Sequence, residues 1–178
     1  MLNINTAHEK HHLFFIVGLP ASGKTHLAKL FAQENNFQFI DLDEAIELAM
    51  NLSVSQIFAK FGEIFFREKE QEQLNNIFLI KQNTIVATGG GTPCYCNNME
   101  LMNQYGVTIW LNESLDIIEK RIAALPKKRP LINSQSIINE YLIETFAVRK
   151  NFYEKSKHVL NSKNIFLNNL QNIIIKYV

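Results

Sequence analysis

Short apolar runs alternate with longer stretches of helical periodicity along the 178 residues of this chain. A run of about five apolar residues fits a strand buried on both faces, whereas apolar residues spaced three and four apart fit one face of a helix. The runs predict five strands, at Leu13–Val17, Phe37–Ile40, Thr84–Thr88, Val107–Leu111 and Val159–Leu160. The stretches between them predict a helix after Thr25 and further helices at about Asp43–Asn51, Ser53–Phe58, Gly62–Lys81, Asn97–Gln104, Ser114–Ala123, Ser134–Lys155 and Ile165–Tyr177. This alternation is typical of an α/β domain, in which helices cover both faces of a five-stranded parallel sheet.

A glycine-bounded loop follows the first predicted strand. The segment Gly18–Thr25 reads G-L-P-A-S-G-K-T and matches the phosphate-binding P-loop pattern G-x-x-x-x-G-K-T. Glycines let backbone N–H groups turn toward phosphate oxygens, and the start of the following helix adds partial positive charge. Lys24 is expected to reach the β- and γ-phosphates, and the Thr25 hydroxyl to bind Mg²⁺. The sequence thus predicts an ATP site formed by Gly18, Ala21, Ser22, Gly23, Lys24, Thr25 and His26.

The amino-acid composition limits the classes of protein to which this chain can belong. Hydrophobic residues at 47%, charged residues at 20% and a formal net charge of +1 are ordinary for one globular domain. We therefore expect no nucleic-acid partner, no membrane span and no basic field that attracts polyanions. Residues 1–12 are polar and lack the apolar core of a signal peptide, so a loose extension and a cytoplasmic location are expected. Cys94 and Cys96 are expected to be reduced thiols, since no second pair exists to complete a zinc site.

Two aspartates follow the second predicted strand, in Asp41-Leu42-Asp43. On an extended segment, carboxylates two residues apart point the same way, here toward the crevice of the P-loop. One would support Mg²⁺ through its water shell and the other would hold a substrate hydroxyl. The alternative is that one of them, Asp43, caps the next helix. The third strand carries no Walker-B aspartate, which leaves the metal-supporting role to Asp41.

Arg67 lies on a strongly apolar predicted helix among aromatic residues. Its guanidinium would either present a planar fork to an anionic ligand or reach solvent above a buried stem. Glu63 and Glu70 lie at helical spacing from it, so an ion pair within the helix is a third possibility. The spacing alone does not decide between these interpretations.

Three glycines, Gly89, Gly90 and Gly91, directly follow the third predicted strand. Consecutive glycines are unfavourable for backbone entropy, and they permit a close approach of the backbone to another group. In parallel sheets, ligands bind outside the carboxyl ends of the strands, where this triplet lies. We interpret it as part of a substrate site.

A proline-bounded basic segment, Pro126–Asn133, interrupts the helical pattern. It is either an ordinary surface loop or a lid, at about residues 124–134, that brings Arg129 over the nucleotide phosphates. Arg121 precedes the segment, and Arg149 follows it on the next predicted helix.

Taken in order, these segments resemble the shikimate kinase family. The matching pieces are GLPASGKT, DLD, FGEIFFREKE, ATGGG, KRPLI and AVRKNFY, and the resemblance extends from Leu13 to about Leu160. It implies a three-layer P-loop kinase fold with sheet order 2-3-1-4-5 and a lid, formed as a single domain by residues 13–178. It also implies Mg²⁺- and ATP-dependent phosphorylation of the 3-hydroxyl of shikimate, on the route to chorismate and the aromatic amino acids, by a protein expected to be a monomer.

The resemblance also assigns roles to residues. It implies catalytic roles for Lys24, Asp43 and Arg129, and ATP contacts for Arg121 and Arg129. Shikimate binding would fall to Asp43, Arg67, Gly90 and Arg149, and the position of the glycine triplet adds Gly89 and Gly91. Metal binding would fall to Thr25 and, through water, to Asp41.

One departure from the family pattern lies inside the P-loop, where Pro20-Ala21 stands in place of Met-Gly or a close variant. Proline removes one N–H donor and fixes one φ angle, so contacts on the substrate side of the loop are expected to differ. Two other functions stay open from sequence. One is phosphorylation of another small acceptor, such as gluconate or a nucleoside monophosphate. The other is a silent nucleotide-binding protein.

Overall fold

A computed structural model describes residues 12–124 and 135–178 of the chain. Its strands are β1 Leu13–Val17, β2 Gln38–Asp41, β3 Thr84–Ala87, β4 Val107–Asn112 and β5 His158–Asn161. Its helices are α1 Lys24–Asn35, α2 Leu42–Met50, α3 Val54–Phe78, α4 Asn98–Tyr105, α5 Leu115–Ala124, α6 Gln135–Tyr153 and α7 Leu167–Ile174. The predicted N-terminal extension up to residue 11, Arg129 and residues 125–134 of the predicted lid lie outside the described residues.

The strands form one parallel sheet in the order β2-β3-β1-β4-β5. The predicted α/β class and the strand order implied by the resemblance are both confirmed. Most predicted elements shift by one or two residues at their ends. The larger difference concerns the two helices predicted at Ser53–Phe58 and Gly62–Lys81. They are the two parts of α3, which is broken at Gly62, where φ is 81° and ψ is 174°.

The central strand β1 divides the core into two halves. Leu13, Phe15 and Val17 pack on one face of the sheet, against residues of α2 to α6. Phe14 and Ile16 pack on the other face, against α1 and α7. Successive side chains of a strand point to opposite faces, so the uninterrupted run LFFIV supplies apolar residues to both halves. This packing fixes β1, and with it the loop that follows β1.

The strand register brings the predicted site loops to one edge of the sheet. Asp41 of β2 pairs with Ala87 of β3, and Ala87 pairs with Ile16 of β1. The loops after β1, β2 and β3 therefore begin at nearly the same level, and the P-loop lies next to Gly89–Gly91. Within the described part of the chain, no helix is both long and apolar enough to cross a lipid bilayer.

Candidate active site

The P-loop wraps around the ammonium group of Lys24. Lys24 Nζ donates to the carbonyl oxygens of Gly18, at 3.0 Å, and Leu19, at 2.8 Å. The backbone reaches this shape through positive φ angles at Gly18 (142°), Ala21 (61°) and Gly23 (103°). The glycines adopt such angles without a steric penalty, whereas Ala21 does so against one. In this arrangement Lys24 occupies the centre of the loop that phosphates would enter.

A second contact holds the loop from outside. Arg121 of α5 donates to the carbonyl oxygen of Ala21, at 3.0 Å, and forms an ion pair with Glu113, at 3.1 Å. Glu113 follows β4, is buried, and also accepts hydrogen bonds from Ser114 N and the Ser162 hydroxyl. Because this carboxylate is fixed on several sides, Arg121 is anchored beside the P-loop rather than free in solvent.

A cavity of about 310 Å³ lies against the outer side of the P-loop. Its lining consists of Ala21, Gly23, Lys24, Thr25, His26 and Arg121. Each of these residues was predicted to contact ATP. Gly18 and Ser22 lie deeper, and the buried Ser22 hydroxyl has no hydrogen-bond partner among the described residues.

The two aspartates at the end of β2 differ in their contacts, and the expectation of an extended pair is wrong. Helix α2 begins at Leu42, and its N-cap is Asp41, whose Oδ1 accepts from the backbone N–H groups of Asp43 and Glu44. The predicted cap, Asp43, therefore does not cap the helix; it lies in the first turn. Asp41 takes the capping role that had been weighed for Asp43, and its other oxygen, Oδ2, accepts from the Thr25 hydroxyl at 2.7 Å.

Asp43 faces the crevice between the P-loop and β3. Partial burial, reinforced by the nearby carboxylates of Asp41 and Glu70, raises the pKa of Asp43 to about 6. Burial lowers the pKa of Lys24 to about 8, although Asp43 and Asp41 oppose that shift. The two groups therefore lie close enough to influence each other, and both titrate near neutral pH, as acid–base groups of active sites often do.

The glycine triplet is where the polar residues of the site meet. A Cβ atom added to Gly89 would lie 2.9 Å from Asp43 Oδ1, and one added to Gly90 would lie 3.1 Å from Arg149 Nη1. One added to Gly91 would lie 2.5 Å from Arg67 Nη2. The three side chains pack directly on glycine backbone from three different elements. A larger residue at any of the three positions would displace one of them.

Arg67 is held by two carboxylates and an aromatic ring. Its guanidinium donates to Glu63, at 2.9 and 3.2 Å, and to the fully buried Glu70, at 2.9 Å. It lies 4.1 Å from the ring centroid of Tyr95, and Glu70 in turn accepts from the Thr92 hydroxyl at 2.5 Å. The ion pair within the helix is therefore present, and the interpretation with a solvent-exposed head is wrong because Arg67 is only 9% exposed.

Arg149 reaches the triplet from α6. It approaches Gly90, and its positive charge acts on the hydroxyl of Tyr153, one helical turn further on. The fully buried Tyr153 donates to the carbonyl oxygen of Gly90 at 2.6 Å. The Pro20 ring lies on the same glycine, since a Cβ on Gly90 would be 2.7 Å from Pro20 Cδ.

Several residues that shape this site were not selected from the sequence. The main contacts of Glu113, Thr92, Tyr95 and Tyr153 are with residues distant in the sequence, and Glu70 was considered only as an ion-pair partner. The available signals were weak: Glu113 follows the carboxyl end of a predicted strand, and Tyr153 follows Arg149 by four residues. Arg129, expected above the phosphates, lies outside the described residues.

The arrangement has two chemically distinct halves. One half presents a P-loop, a lysine and a hydroxyl–carboxylate pair, which suit a nucleotide triphosphate. The other presents a carboxylate and two arginines, which suit a small hydroxylated acid. Among residues 12–124 and 135–178, no group of three or more His, Cys, Asp or Glu side chains gathers as a metal site, and Cys94 and Cys96 are not joined by a disulfide.

Comparisons with known proteins agree with this chemistry. The family model described as shikimate kinase matches residues 20–176. The chain is 37% identical to the shikimate kinase of Phocaeicola vulgatus over 150 residues, which are 83% of this chain and 85% of that protein. It is 34% identical to the shikimate kinase of Bacteroides thetaiotaomicron over the same shares of the two chains.

Solved structures show the same fold. A crystal structure of shikimate kinase from Bacteroides thetaiotaomicron superposes with a TM-score of 0.85 at 30% identity, covering 93% of this chain and 97% of that one. Shikimate kinase from Acinetobacter baumannii, in complex with shikimate, superposes with a TM-score of 0.82 at 24% identity and covers 96% of each chain. At that identity the second likeness concerns the fold alone.

Proposed function

The chain belongs to the shikimate kinase family, whose members phosphorylate a hydroxyl group, and we propose that the two halves of its cleft divide this reaction between them. The enzyme transfers the γ-phosphoryl group of ATP to the 3-hydroxyl of shikimate. The P-loop half holds ATP, and the half around Gly89–Gly91 holds shikimate. The observation that carries this division is the convergence of Asp43, Arg67 and Arg149 on three consecutive glycines beside Lys24.

Shikimate is a small carboxylate with three hydroxyl groups. Arg67 and Arg149 bind its carboxylate, because guanidinium groups form bidentate, charge-assisted hydrogen bonds with such anions. The pairing of Arg67 with Glu63 and Glu70 fixes the orientation of its fork before substrate arrives. The glycine triplet leaves room for the ring of shikimate, since it adds no side chain to the floor of the pocket.

Asp43 accepts the proton of the reacting hydroxyl. A pKa of about 6 leaves the carboxylate mostly ionised at neutral pH and more basic than an ordinary aspartate. Lys24 exchanges its contacts with the Gly18 and Leu19 carbonyls for the phosphates of ATP, where its charge stabilises the transferring group. We assign the same stabilising role to Arg129 and place Arg121 beside the nucleotide.

The residues beside the P-loop fit Mg²⁺. The Thr25 hydroxyl and the Asp41 carboxylate lie 2.7 Å apart and offer the hard oxygen ligands that this ion prefers. Thr25 would hold the ion directly, and Asp41 would hold it through water. When bound with ATP, Mg²⁺ neutralises charge on the β- and γ-phosphates.

Turnover is tested with purified protein, Mg·ATP and shikimate, by measuring ADP release. We expect release that depends on shikimate and is absent with gluconate or nucleoside monophosphates as acceptors. Release with one of those acceptors and none with shikimate would contradict the assignment. Binding of ATP without turnover of any acceptor would instead indicate a silent nucleotide-binding protein.

The two-arginine clamp is tested by Arg67→Ala and Arg149→Ala. Each removes a charged hydrogen-bonding partner worth about 1.5–3 kcal/mol, so the Kd for shikimate should rise at least about tenfold in calorimetric titrations with ADP present. Lys150→Ala is the matched control, because Lys150 is exposed, carries the same charge and adjoins Arg149. An unchanged Kd in either arginine variant contradicts the clamp.

We further propose that the enzyme is a cytoplasmic monomer. All the residues assigned above come from one chain, so no second copy is needed to complete the site. Light scattering after size exclusion should give the mass of one chain, 20.6 kDa. A stable dimer at assay concentration would contradict this part of the proposal.

A further inference from the structure

The hydroxyl of Tyr153 lies at a junction behind the predicted shikimate pocket. It donates to the carbonyl oxygen of Gly90 at 2.6 Å, and the guanidinium of Arg149, which approaches the same glycine, acts electrostatically on it. The ring is fully buried and lies 5.7 Å from the ring of Trp110 on β4. Tyr153 is therefore fixed by the core and joins two groups of the pocket that belong to different elements.

We propose that Tyr153 is a positioning residue for shikimate, acting through Arg149 and the Gly90 peptide. This inference rests on the proposed function, because it concerns how that pocket is held in shape. Tyr153 itself lies behind the two groups and need not touch the substrate. Its hydroxyl sets where the guanidinium of Arg149 stands relative to the backbone of the glycine triplet.

Three observations favour this role over one of simple packing. Arginine has several rotatable bonds, and the buried Tyr153, one turn away on α6 and bonded to the glycine that Arg149 approaches, limits the space open to its guanidinium. Gly90 has no side chain to hold it, so the bond to its carbonyl replaces the restraint that a packed side chain would give. Burial raises the pKa of the Tyr153 hydroxyl well above its usual range, so the group remains a donor throughout the working pH range.

The test compares Tyr153→Phe with wild type. The variant keeps the ring against Trp110 and removes only the hydroxyl. We expect the KM and Kd for shikimate to rise about five- to twentyfold, the range expected when a buried hydrogen bond is lost and its carbonyl partner is left unpaired, while the KM for ATP stays within about twofold. If Tyr153 only packed the core, the variant would lose thermal stability, and its KM values for shikimate and ATP would change by similar factors.

Tyr177→Phe is the matched control. Its hydroxyl forms a hydrogen bond of 2.7 Å with His158 at the far edge of the sheet, and its side chain is half-buried. The control should lose a similar amount of stability and keep wild-type kinetics. Equal KM values for shikimate in Tyr153→Phe and Tyr177→Phe would overturn the proposal.

A double-mutant cycle tests whether Tyr153 acts through Arg149. In an Arg149→Ala background, adding Tyr153→Phe should weaken shikimate binding further by less than about twofold, since the group that Tyr153 orients is already gone. Fully independent, multiplicative effects would overturn the link to Arg149. Wild-type protein without shikimate turnover would refute the proposed function instead, so the two failures are distinguishable.

A second measurement covers the case in which Tyr153→Phe does not fold. Protein carrying 3-fluorotyrosine at position 153 keeps the hydroxyl, and its fluorine resonance reports the surroundings of that group. Saturating shikimate should move this resonance in the wild-type background, and Arg149→Ala should abolish the movement. A resonance that does not respond to shikimate overturns the proposal.

Discussion

At the scale of single residues, the raised pKa of Asp43 that suits its proposed role as a base also lowers the stability of the folded protein. Its folded-state pKa of about 6 lies above the ordinary value of 3.8, so the folded protein binds the proton more tightly than the unfolded chain does. As pH rises from about 4 to 6, the unfolded chain releases this proton first, and the stability of the folded state falls. Above about pH 7 Asp43 is ionised in both the folded and the unfolded state, so the loss of stability no longer changes with pH.

Asp43→Asn should therefore stabilise the substrate-free protein in metal-free buffer while removing activity. The free energy of unfolding should exceed that of wild type by about 3 kcal/mol at pH 8 and by much less at pH 4, because the pKa is raised by about two units and one unit corresponds to about 1.4 kcal/mol. Urea titrations at several pH values measure the difference. A difference that does not change between pH 4 and pH 8 would contradict the raised pKa.

Ala21 is the second residue at which the site opposes stability. Its φ of 61° lies in the left-handed region, which costs about 1–2 kcal/mol for a residue with a Cβ atom. Ala21→Gly should raise the free energy of unfolding by about 0.5–1 kcal/mol, since part of the gain is offset by the greater freedom of glycine in the unfolded chain. Chemical denaturation measures this gain.

Asn36→Gly is the control for that substitution. Asn36 ends α1 with a φ of 54°, but asparagine tolerates this region, so the change should stay within about 0.5 kcal/mol. An Ala21→Gly variant no more stable than wild type would show that the contact from Arg121 to the Ala21 carbonyl, or a relaxed loop, already removes the strain.

At the scale of helices and strands, the sequence correctly predicted the features that depend on local residue patterns. The run LFFIV predicted β1 to the residue, and Ser53 was rightly expected to begin a helix, because its side chain and that of Gln56 cap each other's backbone groups. The break in α3 was also foreseeable, since Gly62 adopts a conformation almost restricted to glycine. These features depend on neighbours within four residues.

The wrong predictions concern features that depend on contacts with residues far away in the sequence. Asp41 rather than Asp43 caps α2, because β2 extends to Asp41 in register with Ala87 of β3, and the helix then begins at once. The environment of Arg67 depends on Thr92 and Tyr95, more than twenty residues away. A single sequence carries no signal of such pairings, so the residues of the site were found more readily than the contacts that hold them.

At the scale of the whole molecule, Gly90 is where three parts of the enzyme touch. The P-loop reaches it through the Pro20 ring, α6 reaches it through Tyr153 and Arg149, and β3 leads into it. The two halves of the proposed site thus share one piece of backbone. Pro20 supplies the contact from the side of the P-loop.

Gly90→Ala should therefore damage both halves at once. The new Cβ would lie 2.7 Å from Pro20 Cδ and 2.9 Å from Pro20 Cγ, closer than carbon atoms approach without displacement. Because the ring cannot rotate away as a flexible side chain would, the P-loop and the triplet must move apart. Steady-state kinetics should show kcat/KM reduced at least about tenfold for both substrates, the scale of loss expected when reacting groups are misplaced.

Pro20→Ala provides the decisive comparison, because it removes the ring atoms that the new methyl group would meet. Alone it should change kcat/KM by less than about threefold, and combined with Gly90→Ala it should restore a large part of the lost activity, as coupled neighbouring sites do. The other group near that methyl is the flexible end of Arg149, at 3.1 Å, which can move aside. A double variant as inactive as Gly90→Ala alone would mean that the damage passes through Arg149, and that Pro20 does not join the two halves of the site.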